Sequence, residues 1–427
     1  MDELKIAVAG LGTVGGGTVR LLASQAALLA ARTGRTLRLV AAAALEKPAD
    51  LPLDGATFYG DARAMTREAD YDVLVELIGG SSGIALDVVT EALRRGRHVV
   101  TANKAMVAHH GLTLAGLAEE KGVTFGFEAA VAGGIPVIKA LREGLAANRL
   151  SQIYGILNGT CNYILTTMRE TGREFGDVLA EAQALGYAEA DPSFDIDGID
   201  TAHQLSILTS LAFGTAVDFA KVHIEGIRRV SAFDIKAAQE LGYRIKLLGI
   251  ARRTEFGIEQ RVHPCMVPIA SSIGCVEGVF NAVVAEGDFV GRTVFEGRGA
   301  GAAPTASAVV ADILDIAAGR QTPTFGVPAK MLVPLQTAAM DEHRGAFYIR
   351  FMVVDRPGVF ADIAAALRDE EVSMESILQR GRAPGETVPV VMTVHDTREQ
   401  AMMKAIDRIR AIDAVVEPPH LIRIEAF

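Results

Sequence analysis

Gly10, Gly12 and Gly15 stand as Gly-x-Gly-x-x-Gly between an apolar run, LKIAVAG, and a helical stretch that opens with Thr13 and Val14. Glycines at that spacing permit a tight turn and let backbone N–H groups approach a pyrophosphate, which the next helix N-terminus then faces. The chemistry is the holding of a dinucleotide; a plain packing turn is the rival. Two more polar loops follow apolar runs, Gly79-Gly80-Ser81-Ser82 and Thr101-Ala102-Asn103-Lys104. In a doubly wound sheet such loops line one crevice at the carboxyl ends of the strands. Lys104 is placed there as a donor to cofactor or substrate, or is an exposed lysine at a helix start.

The densest acidic segment is GYAEADPSFDIDGID (186–200), with Glu189, Asp191, Asp195, Asp197 and Asp200. It lacks the spacing of an EF-hand calcium loop. Carboxylates here suit the ammonium group of an amino-acid ligand, and equally suit helix caps and first-turn dipole partners. Asp200 and Gln204 are four residues apart on one helix face. At the end of the second strand comes Ala-Ala-Leu, then Glu46 and Lys47. The choice between a ribose 2′-OH and a 2′-phosphate therefore stays open, and Lys47 reads either as a phosphate contact or as a solvated loop lysine.

These residues need elements to hold them. LKIAVAG (4–10), LRLVAAAA (37–44), YDVLVELIG (71–79), HVVTAN (98–103) and VTFGFEAA (123–130) read as strands, with helices from Thr13 to Ala31 and from Ile84 to Arg95. Apolar strands alternating with helices imply a parallel sheet covered on both faces, the doubly wound Rossmann-type α/β fold. Beyond it, AGGIPVIKALREGL (132–145) joins a turn to an amphipathic helix. SQIYGILNG (151–159) reads as a strand, a helix runs to about Gly186, and a long irregular region reaches about Arg298. PTASAVVADILDIAAG (304–319) is a helix. From Phe347 the order is βαββαβ, a ferredoxin-like unit. We expect a nucleotide domain at 1–130 with a return helix at about 304–319, an α+β catalytic and dimerisation domain at 131–320, a proline-bearing connector at 321–346, and a C-terminal unit at 347–427.

Subtracting 52 acidic from 42 basic residues leaves a net charge of −10 over 427 residues. With no basic run, nucleic acid and anionic membrane are excluded as main partners. No clean apolar stretch of about 20 residues marks a membrane span, and Met1 leads straight into DELKIAVAG without a leader pattern, so a cytoplasmic protein is expected. The 3 cysteines and 9 histidines show neither Cys-x-x-Cys nor zinc spacing.

Taken together, these motifs resemble the homoserine dehydrogenase family. GLGTVG, ELIGG, TANKA, EAAVAGGIP, GILNGTCNYIL, LGYAEADPSFDIDGID, RIKLLGIA and GRGAGAAPTASAVV stand in that family's order, and the final 80 or so residues, with DRPGVFADIA, resemble an ACT domain. The resemblance implies reversible oxidation of L-homoserine to L-aspartate 4-semialdehyde with NAD or NADP, within threonine and methionine biosynthesis. It places cofactor contacts at Gly10, Gly12, Thr13, Val14, Gly15, Gly80, Ser81, Lys104, Gly186 and Gly301, and homoserine contacts at Glu189 and Asp200. It implies a structural sodium ion held largely by backbone carbonyls at Glu128, Val131, Gly133 and Ile135. It also implies threonine at Asp355-Arg356-Pro357-Gly358 of paired ACT domains, and a homo-oligomer, dimer or tetramer.

One position departs from the pattern. The family has an Asp, three residues, then a lysine that acts as general acid/base; here the last position is Gln204. Glutamine can hydrogen-bond an oxygen but cannot give up a proton, and losing a general acid typically costs 10²–10⁴-fold, roughly 3–5 kcal/mol. Lys104 or water then carries the proton. The alternatives are a weakly active or inactive dinucleotide- and amino-acid-binding regulatory protein, or another amino-acid dehydrogenase such as aspartate dehydrogenase.

Overall fold

The computed structural model describes residues 2–379 and 385–427, so the end of SMESILQRGR lies outside the described residues. The chain divides into two compact units: Met1–Gly159 with Asp200–Val222 and Val279–Leu335, and Thr160–Ile199 with His223–Gly278 and Gln336–Phe427.

The first unit holds a six-stranded parallel sheet built from β1 (Glu3–Ala9), β2 (Thr36–Ala43), β3 (Thr57–Tyr59), β4 (Val73–Glu76), β5 (His98–Thr101) and β6 (Phe125–Gly126). Its order is β3-β2-β1-β4-β5-β6. The order reverses between β1 and β4, which opens a crevice at the carboxyl ends of those strands. Ile6, Val8, Val73, Val75 and Val100 form its core with Val19, Leu22, Val309, Ile313 and Ile316. Runs buried on both faces carry no alternation. The helices are α1 (Thr13–Ser24), α2 (Ala26–Thr33), α3 (Ala62–Glu68), α4 (Ile84–Arg94), α5 (Lys104–Lys121) and the returning helix Ala302–Ala317. That return helix packs so closely on α1 that a Cβ on Gly17 would meet the Ala302 carbonyl at 2.6 Å. The unit also contains a three-stranded antiparallel sheet, Leu150–Ile156, Phe280–Gly287 and Gly291–Arg298.

Three sequence expectations are corrected. The helix expected from Thr13 to Ala31 is two, bent by 75° around Gln25. Beyond the bend, Leu29 packs into the core. The helix to Gly186 is also two, Gly159–Thr171 and Phe175–Ala184, with Gly172 at φ +70° between them. The irregular region is the largest correction, since it contains the long hairpin Tyr243–Thr254 and Gly257–Pro268.

In the second unit that hairpin continues into the ferredoxin-like sheet. The strand His420–Ile424 pairs in parallel with Gly257–Pro268 and antiparallel with Arg344–Val354. Thr387–Arg398 and then Met374–Gln379 complete the order. Phe347, Ile349, Phe351 and Val353, alternate residues of one strand, bury against Ile363, Leu367, Met402, Ile406 and Ile409 of the two covering helices. Among the described residues no single helix is long and apolar enough to cross a membrane.

Candidate active site

The three motif glycines serve three purposes. Gly10 sits at φ +97°, and a Cβ there would meet the Leu77 carbonyl at 2.5 Å. At Gly15 a Cβ would strike the Gly10 carbonyl at 2.0 Å. Gly12 has neither restraint: its φ is −68°, and nothing lies within 4 Å of its missing Cβ. Among the described residues no contact requires glycine there. It caps α1 with no side-chain hydrogen bond, and the space on its Cβ side is open. This is a cradle that fits a pyrophosphate and that a side chain would fill. Thr13 is exposed and Val14 half-buried beside it.

The loops after β4 and β5 are joined by hydrogen bonds that the sequence reading missed. Glu76, buried at the end of β4, accepts from the N–H groups of Ile78 and Gly79 (2.7 and 3.1 Å) and from the Thr101 hydroxyl at 2.6 Å. Thr101 Oγ1 accepts from the Asn103 N–H at 2.9 Å. Asn103 donates its amide to the Gly80 carbonyl at 2.7 Å and caps α5 by accepting from Met106 N–H at 3.0 Å. This chain fixes Gly80 and half-buried Ser81 and sets Lys104 as the first residue of α5. A glutamate within the apolar run VLVE was the available signal.

Lys104 forms an ion pair with Asp200, in the first turn of the helix Ile199–Phe213. Asp200 is 3% exposed, whereas the Lys104 side chain keeps 35% of its surface. The other carboxylate oxygen, Oδ2, accepts from Asn158 Nδ2 and from Gln204 Nε2, both at 2.9 Å. The structure thus brings together Lys104, Asp200 and Gln204, and adds Asn158. His203, the next residue back, touches His109 at 3.2 Å between Nε2 atoms and stacks on Phe219. Burial, reinforced by His109, pushes His203 down to about 4.

The bend after β6 holds Glu128, Val131, Gly133 and Ile135, all buried. The Glu128 carboxylate accepts from the N–H groups of Ile138 (3.0 Å) and Lys139 (2.9 Å), and burial together with Asp312 pushes it up to about 8. Gly301, at φ +115°, caps the return helix.

In the second unit, Gly186 follows the helix Phe175–Ala184 at φ +75°, and Glu189 is exposed. Asp191 accepts from Ser193 N–H at 3.1 Å and Asp197 pairs with Arg228, so these acids serve local structure. The turn Asp355-Arg356-Pro357-Gly358 leads into the helix Val359–Asp369, with Gly358 at φ +97°.

A doubly wound sheet with an open pyrophosphate turn, and a lysine at the start of the helix entered from its fifth strand paired with the buried Asp200 carboxylate, defines a nicotinamide-dinucleotide oxidoreductase. Family models match three stretches: the homoserine dehydrogenase NAD-binding domain at 10–128, homoserine dehydrogenase at 136–314, and the ACT domain at 347–411. The chain is 48% identical to the homoserine dehydrogenase of Neisseria gonorrhoeae, with 100% of each covered. It is 47% identical to that of Pseudomonas aeruginosa, covering 100% of this chain and 99% of the relative. A homoserine dehydrogenase crystal structure from Thiobacillus denitrificans superposes with a TM-score of 0.93 at 44% identity, over 100% of this chain and 99% of that one. A hyperthermophilic archaeal homoserine dehydrogenase, solved with NADPH, gives 0.64 at 27% identity, over 75% of this chain and 99% of that one. The chain belongs to the homoserine dehydrogenase family.

Proposed function

We propose that this chain interconverts L-homoserine and L-aspartate 4-semialdehyde with Asp200 as a substrate carboxylate and Lys104 as the proton-handling group. The ion pair of half-open Lys104 with buried Asp200 is the observation that carries this reading. Oxidising the primary alcohol removes a hydride from C4 and a proton from the hydroxyl. When bound, the nicotinamide supplies the hydride acceptor. The chain supplies orientation and the proton site. Asp200 holds the substrate ammonium by charge-assisted hydrogen bonds. Lys104 accepts the hydroxyl proton as an amine and returns it as an ammonium in the reverse direction. With Gln204 in place of a second ammonium, turnover is lower than in relatives that carry lysine there.

The remaining roles follow the family pattern: Gly10, Gly12, Thr13, Val14, Gly15, Gly80, Ser81, Gly186 and Gly301 for the cofactor, and Glu189 for homoserine. The domain limits proposed are 1–130, 131–320 and 347–427, with 321–346 connecting. The dinucleotide is NADP or NAD; no carboxylate ends β2, and Lys47 stands 6.0 Å over the Phe58 ring. A sodium ion fits the segment Glu128, Val131, Gly133 and Ile135, because its donors are hard oxygens without nitrogen or sulfur. The Glu128 carboxylate is already bonded to Ile138 and Lys139, so its carbonyl would be the ligand. Threonine, an assembly of two or four copies, and a cytoplasmic location complete the proposal.

A spectrophotometric assay with homoserine and each dinucleotide tests the reading. Homoserine-dependent reduction of at least one nucleotide is expected, and none with either would overturn it. Millimolar threonine should raise the melting temperature by mass action; no shift together with undiminished activity would leave the ACT unit an assembly role alone.

A further inference from the structure

We infer that Gln204 is a positioning residue that locks Asp200 to the backbone bend at Ala132–Gly134, leaving Lys104 to do the proton chemistry alone. The inference rests on the homoserine reading above and assigns one side chain its part in it.

A glutamine amide offers one acceptor oxygen and two N–H groups. All three are engaged. Oε1 accepts from the Ala132 N–H at 2.8 Å, while Nε2 donates to the Leu157 carbonyl and to Asp200 Oδ2, each at 2.9 Å. Gln204 is 4% exposed. No hydrogen is left for a substrate oxygen, so the residue is not poised to polarise the reacting hydroxyl.

The bond to Ala132 is the informative one. Ala132 lies at φ +50° and Gly133 at +48°. An alanine in the left-handed region persists only where its surroundings over-determine it. Three contacts do so. Gln204 captures the Ala132 N–H. Gly133 comes so near residue 299 that a Cβ would meet the Gly299 carbonyl at 2.1 Å. The Gly134 N–H donates to the Arg298 carbonyl at 3.0 Å. The loop at 298–301, which caps the return helix, is thereby tied through the bend and Gln204 to the substrate carboxylate. A lysine at 204 could repeat the donations but has no acceptor, and would leave the Ala132 N–H without this partner.

Gln204→Met keeps the length of the side chain and removes all three bonds. In the full chain, the homoserine KM should rise at least tenfold, kcat should fall by less than that factor, and nucleotide affinity should stay within twofold. The pH profile of kcat should keep its limbs, because the substitution adds and removes no titratable group. A fall in kcat at constant KM, or a lost pH limb, would place Gln204 in the chemical step and overturn the inference; so would unchanged kinetics.

Gln204→Glu supplies a second readout. Of the charged or titratable groups near that position, Asp200 bonds Gln204 directly and Lys104 pairs with Asp200 from α5, while neutral His203, next on the helix, turns to His109 and Phe219; Asn158, Leu157 and Ala132 present neutral groups. Ionised, the introduced carboxyl repels Asp200; protonated, it regains one donor and keeps the acceptor. The ratio of variant to parent KM should therefore fall at least threefold between about pH 8.5 and about pH 6. A flat ratio would overturn the inference. A parent that binds nucleotide but neither binds nor oxidises homoserine defeats the homoserine reading and this inference with it; a parent that turns over while Gln204→Met leaves KM unmoved defeats the inference alone.

Discussion

Asp200 and Asp234 are both buried aspartates ringed by donors, yet their surroundings differ in kind. Asp234 is 0% exposed. It accepts from Ser231 Oγ (2.7 Å), Arg350 Nε (2.8 Å), the Tyr348 hydroxyl (3.0 Å) and His420 Nδ1 (3.2 Å). Burial works against its charge, but His420 and Arg350 hold the carboxyl well below the usual range. Asp200 instead takes two neutral amides on one oxygen and faces Lys104 with the other. Tyr348 and His420 are themselves buried, whereas Lys104 reaches solvent. Depth alone does not separate a structural carboxylate from a chemical one. The accessibility of its partners does.

Lys104→Ala tests one side of this contrast. Turnover of homoserine should drop by about 10²–10⁴-fold, the usual worth of a proton-transfer group, with little change in thermal stability. Retained activity would return the proton to water. Asp234→Ala tests the other side. It leaves half-buried Arg350 and buried Tyr348 and His420 without their shared acceptor, so unfolding free energy should fall by about 3–5 kcal/mol while kcat stays within twofold. A variant with native stability and lost turnover would reverse the two roles.

Gly12→Val sharpens the contrast at the cofactor end. The space around that Cβ is open, so the fold should survive, while nucleotide affinity by calorimetry should fall at least tenfold. Unchanged affinity would reduce the motif to a packing turn.

Acid should act on the two regions in sequence. His203 is buried neutral at about 4, so the unfolded chain takes up its proton first and stability falls as pH drops from about 6.5 toward 4. The slope is at most about 1.4 kcal/mol per pH unit for one group. Glu259 is the opposite case. Burial opposes its charge, but His343 and Arg261 hold it down at about 2. Its contribution is complete above the ordinary glutamate value of 4.5 and is lost as pH falls toward 2. His203→Gln should flatten only the upper window in pH-dependent denaturation; a flattened lower window would contradict this assignment.

The sequence was most legible where function is local. The glycine turn, its helix and the ferredoxin-like order all lie in short contiguous segments. The strand Gly257–Pro268 was illegible because Glu259, Arg261 and His263 interrupt its apolar pattern, and Arg261 is neutralised by Glu425, 164 residues away. The roles of Glu76, Asn103 and Asn158 were not legible because each acts through a partner on a distant segment. Gln204 stood out as a departure from the family pattern, but its hold on Ala132 required the fold.

The strand His420–Ile424 belongs to two neighbours at once, through Cys265↔Arg423 and Met266↔Ile424 on one side and five residues of Arg344–Val354 on the other. The ACT module is therefore spliced in rather than suspended from a tether. A spliced module cannot swivel away from its neighbouring strand without breaking backbone hydrogen bonds. Excising it would also bare the edge of Gly257–Pro268, an invitation to aggregation that a hinged attachment would never create.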